Sequence, residues 1–120
     1  MSSPNNLNKF WVYAPDKTDE KAFERRLSVR AKHLENAAKR RIDNDAKGIV
    51  DGRIRVGGAV LTPESITGGE KKMVGSCMIY EAESIEVVKK IIESDIYYTA
   101  GVWDPERILI LPFVAATQFP

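Results

Sequence analysis

Arg107-Ile108-Leu109-Ile110-Leu111-Pro112-Phe113-Val114 is the stretch on which the fold turns. Successive side chains of a strand point to opposite faces. Read as a strand, it sends Ile108 and Ile110 to one side and Leu109 and Leu111 to the other, so it is apolar on both. An earlier run, Met73 to Glu81, has the same character, with Val74 and Met78 on one face and Met73, Cys77 and Ile79 on the other. A sheet made of such strands needs two covers, because a bare apolar patch of that size is unusual on a monomer.

Outward from these strands, Ser84 is placed to cap a helix through about Glu93 that buries Ile85, Val88, Ile91 and Ile92. The connection Ser94-Asp95-Ile96-Tyr97-Tyr98-Thr99-Ala100-Gly101-Val102 joins that helix to the last strand. Upstream, Thr62 to Lys72, with Pro63 and Gly68-Gly69, reads as a polar hairpin loop long enough to be mobile. Ile49 to Leu61 reads as a strand with an early turn or bulge at Asp51-Gly52, and Gly57-Gly58 marks a close backbone approach. Before it, a helix capped by Thr18, with Asp19 and Glu20 in its first turn, is expected to run to about Ile42. Asp43-Asn44-Asp45 and Gly48 close it with turn chemistry. Its apolar stripe is Phe23, Leu27, Leu34, Ala37 and Ala38, with Arg30 in the middle and His33 on the edge. Lys9 to Ala14 is the first strand, Phe10 and Val12 facing one way and Trp11 and Tyr13 the other, and it stops at Pro15-Asp16.

The order is βαββαβ. With right-handed crossovers it predicts an α+β, ferredoxin-like domain over residues 9–114, a four-stranded antiparallel sheet with two helices on one face. Residues 1–8 are expected to be disordered, and 115–120 form a tail. The helices leave one face of an apolar sheet bare, and a second copy packed face to face supplies the cover. The expectation is therefore a homodimer, a dimeric α/β barrel with a self-complementary two-fold interface.

Composition narrows the function classes. Apolar residues make up 43% and charged ones 29%, within the globular range. Eighteen basic and seventeen acidic residues leave a net charge of +1, no global field for drawing in a nucleic acid or a membrane surface. Lys39-Arg40-Arg41, with Arg25 and Arg26, reads as a solvated helix face, since no aromatic signature for stacking bases accompanies it. One cysteine, Cys77, mid-strand between apolar neighbours, is expected to be an inert thiol. One histidine without matching ligand spacing argues against a metal site. With no basic-then-apolar leader and no long apolar run, a soluble cytoplasmic protein is the expectation.

The residues that can carry chemistry are few. His33 can take or give a proton near neutral pH, and a carboxylate on its second nitrogen would fix its tautomer. Asp95 is the candidate partner, although it sits where a carboxylate simply caps the next turn. Arg30, on the apolar stripe, either snorkels or finds an anion, and that anion is Asp95 or a ligand carboxylate or phenolate. Should Arg30 take Asp95, the His33–Asp95 pair is lost. Tyr97, Tyr98 and Trp103 can line a pocket for an aromatic ligand or be plain core, and Gly58 offers backbone at close range.

Arg30-Ala31-Lys32-His33-Leu34 resembles the Arg-x-x-His-Leu pattern of the YCII-related domain family, and Asp95 to Val102 is similar to its Asp-Pro-(Tyr/Phe)-x-x-Ala-Gly-(Val/Leu) motif. Gly52 to Gly58 resembles its Gly-x-(Leu/Ile)-x-x-x-Gly strand, and Gly75-Ser76 the Gly-Ser that opens its third strand. The ordered set spans about residues 9 to 113; Ile96 and Ala59 stand where the family usually carries Pro. The resemblance implies a ferredoxin-like fold, dimeric barrels and a His-Asp site without a metal, at His33 and Asp95. Some similar proteins act in aromatic degradation, including loss of chloride from a hydroxylated ring. The reading is a cofactor-free acid–base enzyme acting by elimination, isomerisation or hydrolysis on a small aromatic or keto-acid-like substrate, with Arg30 anchoring its anionic group. The alternative is a non-catalytic dimeric module that binds a metabolite or a protein in the same cleft.

Overall fold

The computed structural model describes residues 7–47 and 52–119. Strand β1 (Asn8–Pro15) leads into helix α1 (Ala22–Lys47), then strands β2 (Arg53–Leu61) and β3 (Met73–Ala82), helices α2 (Ile85–Ser94) and α3 (Ile96–Thr99), and strand β4 (Leu109–Phe113). The sheet order is β2-β3-β1-β4 and every pairing is antiparallel. This is the α+β, ferredoxin-like fold expected from the element order.

Alternation sets the layers. Phe10, Val12 and Ala14 of β1 and Met78, Tyr80 and Ala82 of β3 are buried against Val88, Ile91 and Ile92 of α2, with Tyr97, Val102 and Trp103 in the same cluster. Ser84 caps α2 as expected, its Oγ accepting from the Val87 N–H at 3.4 Å. The other face carries Trp11, Tyr13, Ile79, Leu109 and Leu111, paired across the register. Leu109 and Leu111 are about half exposed, at 47% and 50%. Near the far end of this face a bulge at Arg55 lets Arg53 and Arg55 both reach the buried Glu81 carboxylate.

Several local expectations need correction. Asn8 already belongs to β1, opposite Ala82. Thr18 does not cap α1: the helix begins at Ala22, and the Asp19 carboxylate accepts from the Lys21 N–H and from Arg25. Asp43 to Asp45 lie inside α1, because a long helix tolerates those residues once its neighbours are helical. Gly48 and the start of the second strand at Ile49–Asp51 fall outside the described residues. The 62–72 loop is tied down by a 3₁₀ turn at Pro63–Ile66, with the Ser65 Oγ accepting from the Lys72 N–H at 3.1 Å.

The largest correction concerns the buried face of α1. Leu27 and Leu34 are half exposed, at 49% and 47%, and Arg30 is exposed. The face turned inward carries Ala22, Arg26, Val29, His33 and Ala37, an equally helical spacing one position round. The buried arginine is Arg26, which apolar periodicity cannot find because a charged residue is admitted to a core only when paired.

Candidate functional site

Asp95 performs both tasks that its sequence position offered. Its Oδ1 accepts the Tyr97 backbone N–H at 2.8 Å, capping α3, and also lies 2.8 Å from His33 Nδ1. An ionised carboxylate only accepts, so the His33 Nδ1–H donates to it and the Nε2 lone pair is left available. Both side chains are 13% exposed, and no second partner of the ring nitrogens appears among the described residues. Arg30 does not compete for Asp95: among the described residues no ion pair joins it to a carboxylate. Ile96 fills the first position of α3, where proline would serve equally because that N–H needs no helical acceptor.

The end of the connection is locked in place. Gly101 takes φ +78°, a left-handed conformation that side chains disfavour, and its carbonyl accepts from Arg25 Nε and Nη2 at 3.1 and 2.9 Å. Val102 to Asp104 then run beside Pro15 to Lys17, with the Lys17 N–H bonded to the Val102 carbonyl and the Asp104 N–H to that of Pro15.

Aromatic rings hold the imidazole. Tyr97 stacks on it at 3.9 Å between centroids and 10° between planes, and Trp103 meets both rings edge-on at 6.0 and 5.6 Å. The guanidinium of Arg26 lies 4.6 Å from the Tyr97 ring centre. Burial pushes the Tyr97 phenol up, with Arg26 and Arg30 pulling the other way. Arg26 itself bonds Asp16 Oδ1 through Nη1 at 2.8 Å and Ser76 Oγ through Nη2 at 3.0 Å. Burial likewise raises the Asp16 carboxyl, against the opposing pull of Arg26.

These groups surround a cavity of about 440 Å³ between α1 and the β2–β3 side of the sheet. Arg26, Arg30, His33, Ser76 and Tyr97 give it its polar wall, and Leu34, Ala37, Ala38, Ile54, Ala59 and Met78 the apolar one. A Cβ at Gly57 would make only ordinary contact with Ile54 and Met78, at 3.5 Å, and one at Gly58 would meet nothing within 4 Å, so the close backbone approach expected at this pair is not found among the described residues. Among the expected residues, His33, Arg30, Gly58 and Tyr97 line this cavity. Two do not. Tyr98 faces a separate shallow hollow with Lys89, Ile92, Pro105 and Ile110, since consecutive helical positions point about 100° apart. Trp103 is fully buried and stands behind His33 and Tyr97 as support. Asp16 and Ser76 were not read as site residues, and Arg26, read as part of a solvated helix face, is buried instead, although Arg26 and His33 sit seven apart on one helix face and Ser76 is the serine of the Gly75-Ser76 pair already noted. Among the described residues no group of three or more His, Cys, Asp or Glu side chains is arranged to hold a metal, and no helix is long and apolar enough to cross a membrane.

The fold defines the class, a ferredoxin-like α+β domain, here with His33 of the first helix in contact with Asp95. The chain belongs to the YCII-related domain family, which it matches over residues 9–113. It is 33% identical over 109 residues to fusaric acid biosynthesis protein 2 of Gibberella moniliformis, covering 91% of this chain and 95% of that protein. To protein YciI of Escherichia coli it is 34% identical over 102 residues, covering 85% and 92%. Among solved structures it is similar to 5-chloro-2-hydroxyhydroquinone dehydrochlorinase from Burkholderia phenoliruptrix in complex with 2,5-dihydroxybenzoquinone. The TM-score is 0.66 and the identity 26%, over 88% of this chain and 93% of that one.

Proposed function

We propose that the chain is a small-molecule acid–base enzyme in which His33, oriented by Asp95, moves a proton at Nε2 and needs no cofactor. The observation that carries this is the 2.8 Å contact to Asp95 from Nδ1 of His33, whose ring lines a cavity of about 440 Å³. Such a partner leaves the outer nitrogen basic and stabilises the imidazolium once it is protonated. Arg30, exposed at the cavity mouth, attracts an anionic or phenolic group, while the apolar wall accepts a ring. The substrate class is a hydroxylated aromatic ring or a keto-acid-like molecule, and the similarity to a dehydrochlorinase favours elimination over isomerisation or hydrolysis. In an elimination His33 takes a proton from a ring hydroxyl or an acidic C–H. The freed pair forms a carbonyl or C=C bond and the leaving group departs with its own pair, so the substrate loses HX in sum.

The test offers chlorinated and unchlorinated hydroxyquinols and β-keto acids to the purified protein. Chloride release and solvent-deuterium incorporation are followed. Turnover should fall by about 10²- to 10⁴-fold in His33→Ala, the usual contribution of a positioned base, while ligand binding is largely kept. A protein that binds these molecules without turning any of them over is a binding module instead. The half-exposed Leu109 and Leu111 support a homodimer closed across the open sheet face. Sedimentation showing a monomer at tens of micromolar would count against that assembly.

A further inference from the structure

Ser76 of β3 has an unusual hydrogen-bond balance. Arg26 Nη2 and Trp103 Nε1 lie 3.0 and 3.1 Å from its Oγ. Guanidinium and indole N–H groups only donate, so Oγ accepts both and its own proton must be given elsewhere. No acceptor among the described residues takes it, although the residue is 1% exposed. Beside it, the Nε–H of Arg26, which is 2% exposed, is also buried without an acceptor. Buried donors left unmet are costly and rare in a finished structure. Both residues line the cavity that holds His33, and the Tyr97 and Trp103 rings tie them to the imidazole.

We propose that the Ser76 hydroxyl donates the hydrogen bond that receives a carbonyl or phenolate oxygen of the substrate, with Arg26 strengthening it as a donor. A hydroxyl that accepts from a cation gives up its proton to an acceptor more readily, and a fixed donor beside a base stabilises charge developing on oxygen. Asp16 holds Arg26 in place through Oδ1, while its Oδ2 is buried with no hydrogen bond to Ser76 or any other described donor. The substrate class narrows accordingly: the ring or chain undergoing proton transfer must carry an oxygen that reaches Ser76 while an acidic position faces His33. A quinol, an enol or a β-keto acid meets this condition; a plain halogenated hydrocarbon does not.

This assignment rests on the cavity being the substrate site, and the experiment separates the two. 2,5-Dihydroxybenzoquinone is titrated into wild-type protein, Ser76→Ala, Ser76→Cys and Ser76→Thr, with calorimetry and the absorption band of the bound quinone as readouts. The expected result is a loss in affinity of about 10- to 100-fold in Ser76→Cys, the scale of a hydrogen bond involving a charged group. Ser76→Thr, which keeps the hydroxyl, should stay within several-fold of wild type. The band of the bound quinone should move between wild type and Ser76→Cys, a change that repacking alone does not produce. Cysteine is nearly isosteric with serine, so the comparison survives if Ser76→Ala fails to fold. Wild-type binding that Ser76→Cys leaves intact, in affinity and in spectrum, overturns the Ser76 assignment alone. No binding to wild type overturns the cavity as a quinol site and this assignment with it.

Discussion

Two side-chain pairs flank Tyr97, and they are built for opposite purposes. Asp16 and Arg26 are almost completely enclosed, with side-chain exposures of 6% and 3%, and a guanidinium never gives up its proton in a protein. His33 and Asp95 are less enclosed, at 13% each, and His33 lines the cavity; an imidazole changes charge within the ordinary range of pH. The contrast separates a permanent charge, which holds the wall, from a switchable one, to which the proposed function gives the proton transfer. It also explains the rotation of α1: turning in Arg26 and His33 leaves Leu27 and Leu34 half exposed.

The contrast breaks most severely at Arg26. Arg26→Ala leaves the Asp16 carboxylate buried and alone, and should destabilise the fold by about 3–5 kcal/mol, read from the midpoint of denaturant unfolding. Replacing both partners together with apolar residues of similar volume should recover much of that loss. At the other pair the effect falls on rate. Asp95→Asn keeps an oxygen that can cap α3 but removes the charge that steadies the imidazolium. Turnover should drop by about 10- to 100-fold, on the assumption that part of the acid–base contribution is lost, while stability moves by less than about 1 kcal/mol. A fall in stability as large as that of Arg26→Ala would mean that both pairs are structural. Gly101→Ala tests how the switchable pair is held. Its positive φ should cost about 1 kcal/mol, read as a lower midpoint, and loosen the connection bearing Asp95.

The smallest effect lies in the acid limb. Asp19, bonded by Arg25, is lowered to about 2, whereas burial raises Asp16 above its ordinary value. A lowered carboxyl contributes stability that is complete above about 3.8 and is lost as pH falls through about 2, while the raised Asp16 works in the opposite sense. Carboxyl titration by NMR should find these two residues, three apart in sequence, on opposite sides of 3.8. Should both come out lowered, desolvation does not dominate at Asp16.

Much of this was legible in the residues. The aromatic and branched run of β1, the apolar character of β3 and β4 on both faces, the Ser84 cap and the βαββαβ order point to the sheet, and His33 with Asp95 stood out as the scarce groups able to share a proton. What stayed hidden depended on pairing. The Arg26 face of α1 has the same helical spacing as the leucine stripe, and only the carboxylate of Asp16, supplied by the end of another element, makes it the buried one. Ser76 was hidden for a similar reason: a serine in a strand is unremarkable until an arginine and a tryptophan from elsewhere spend its lone pairs. Tyr98 was misassigned because a four-residue helix between α2 and β4 changes which of two adjacent tyrosines faces inward.

Strand β1 is made early but lies between β3 and β4, which are made late. During synthesis its edges therefore wait, and His33 meets a partner 62 residues further along the chain. Closing loops of that length has to precede the contacts that reward it, which slows folding relative to a helical domain of similar size. The His33–Asp95 pair accordingly forms with the last part of the sheet, and a nascent chain that stops before Asp95 holds the histidine without its carboxylate partner.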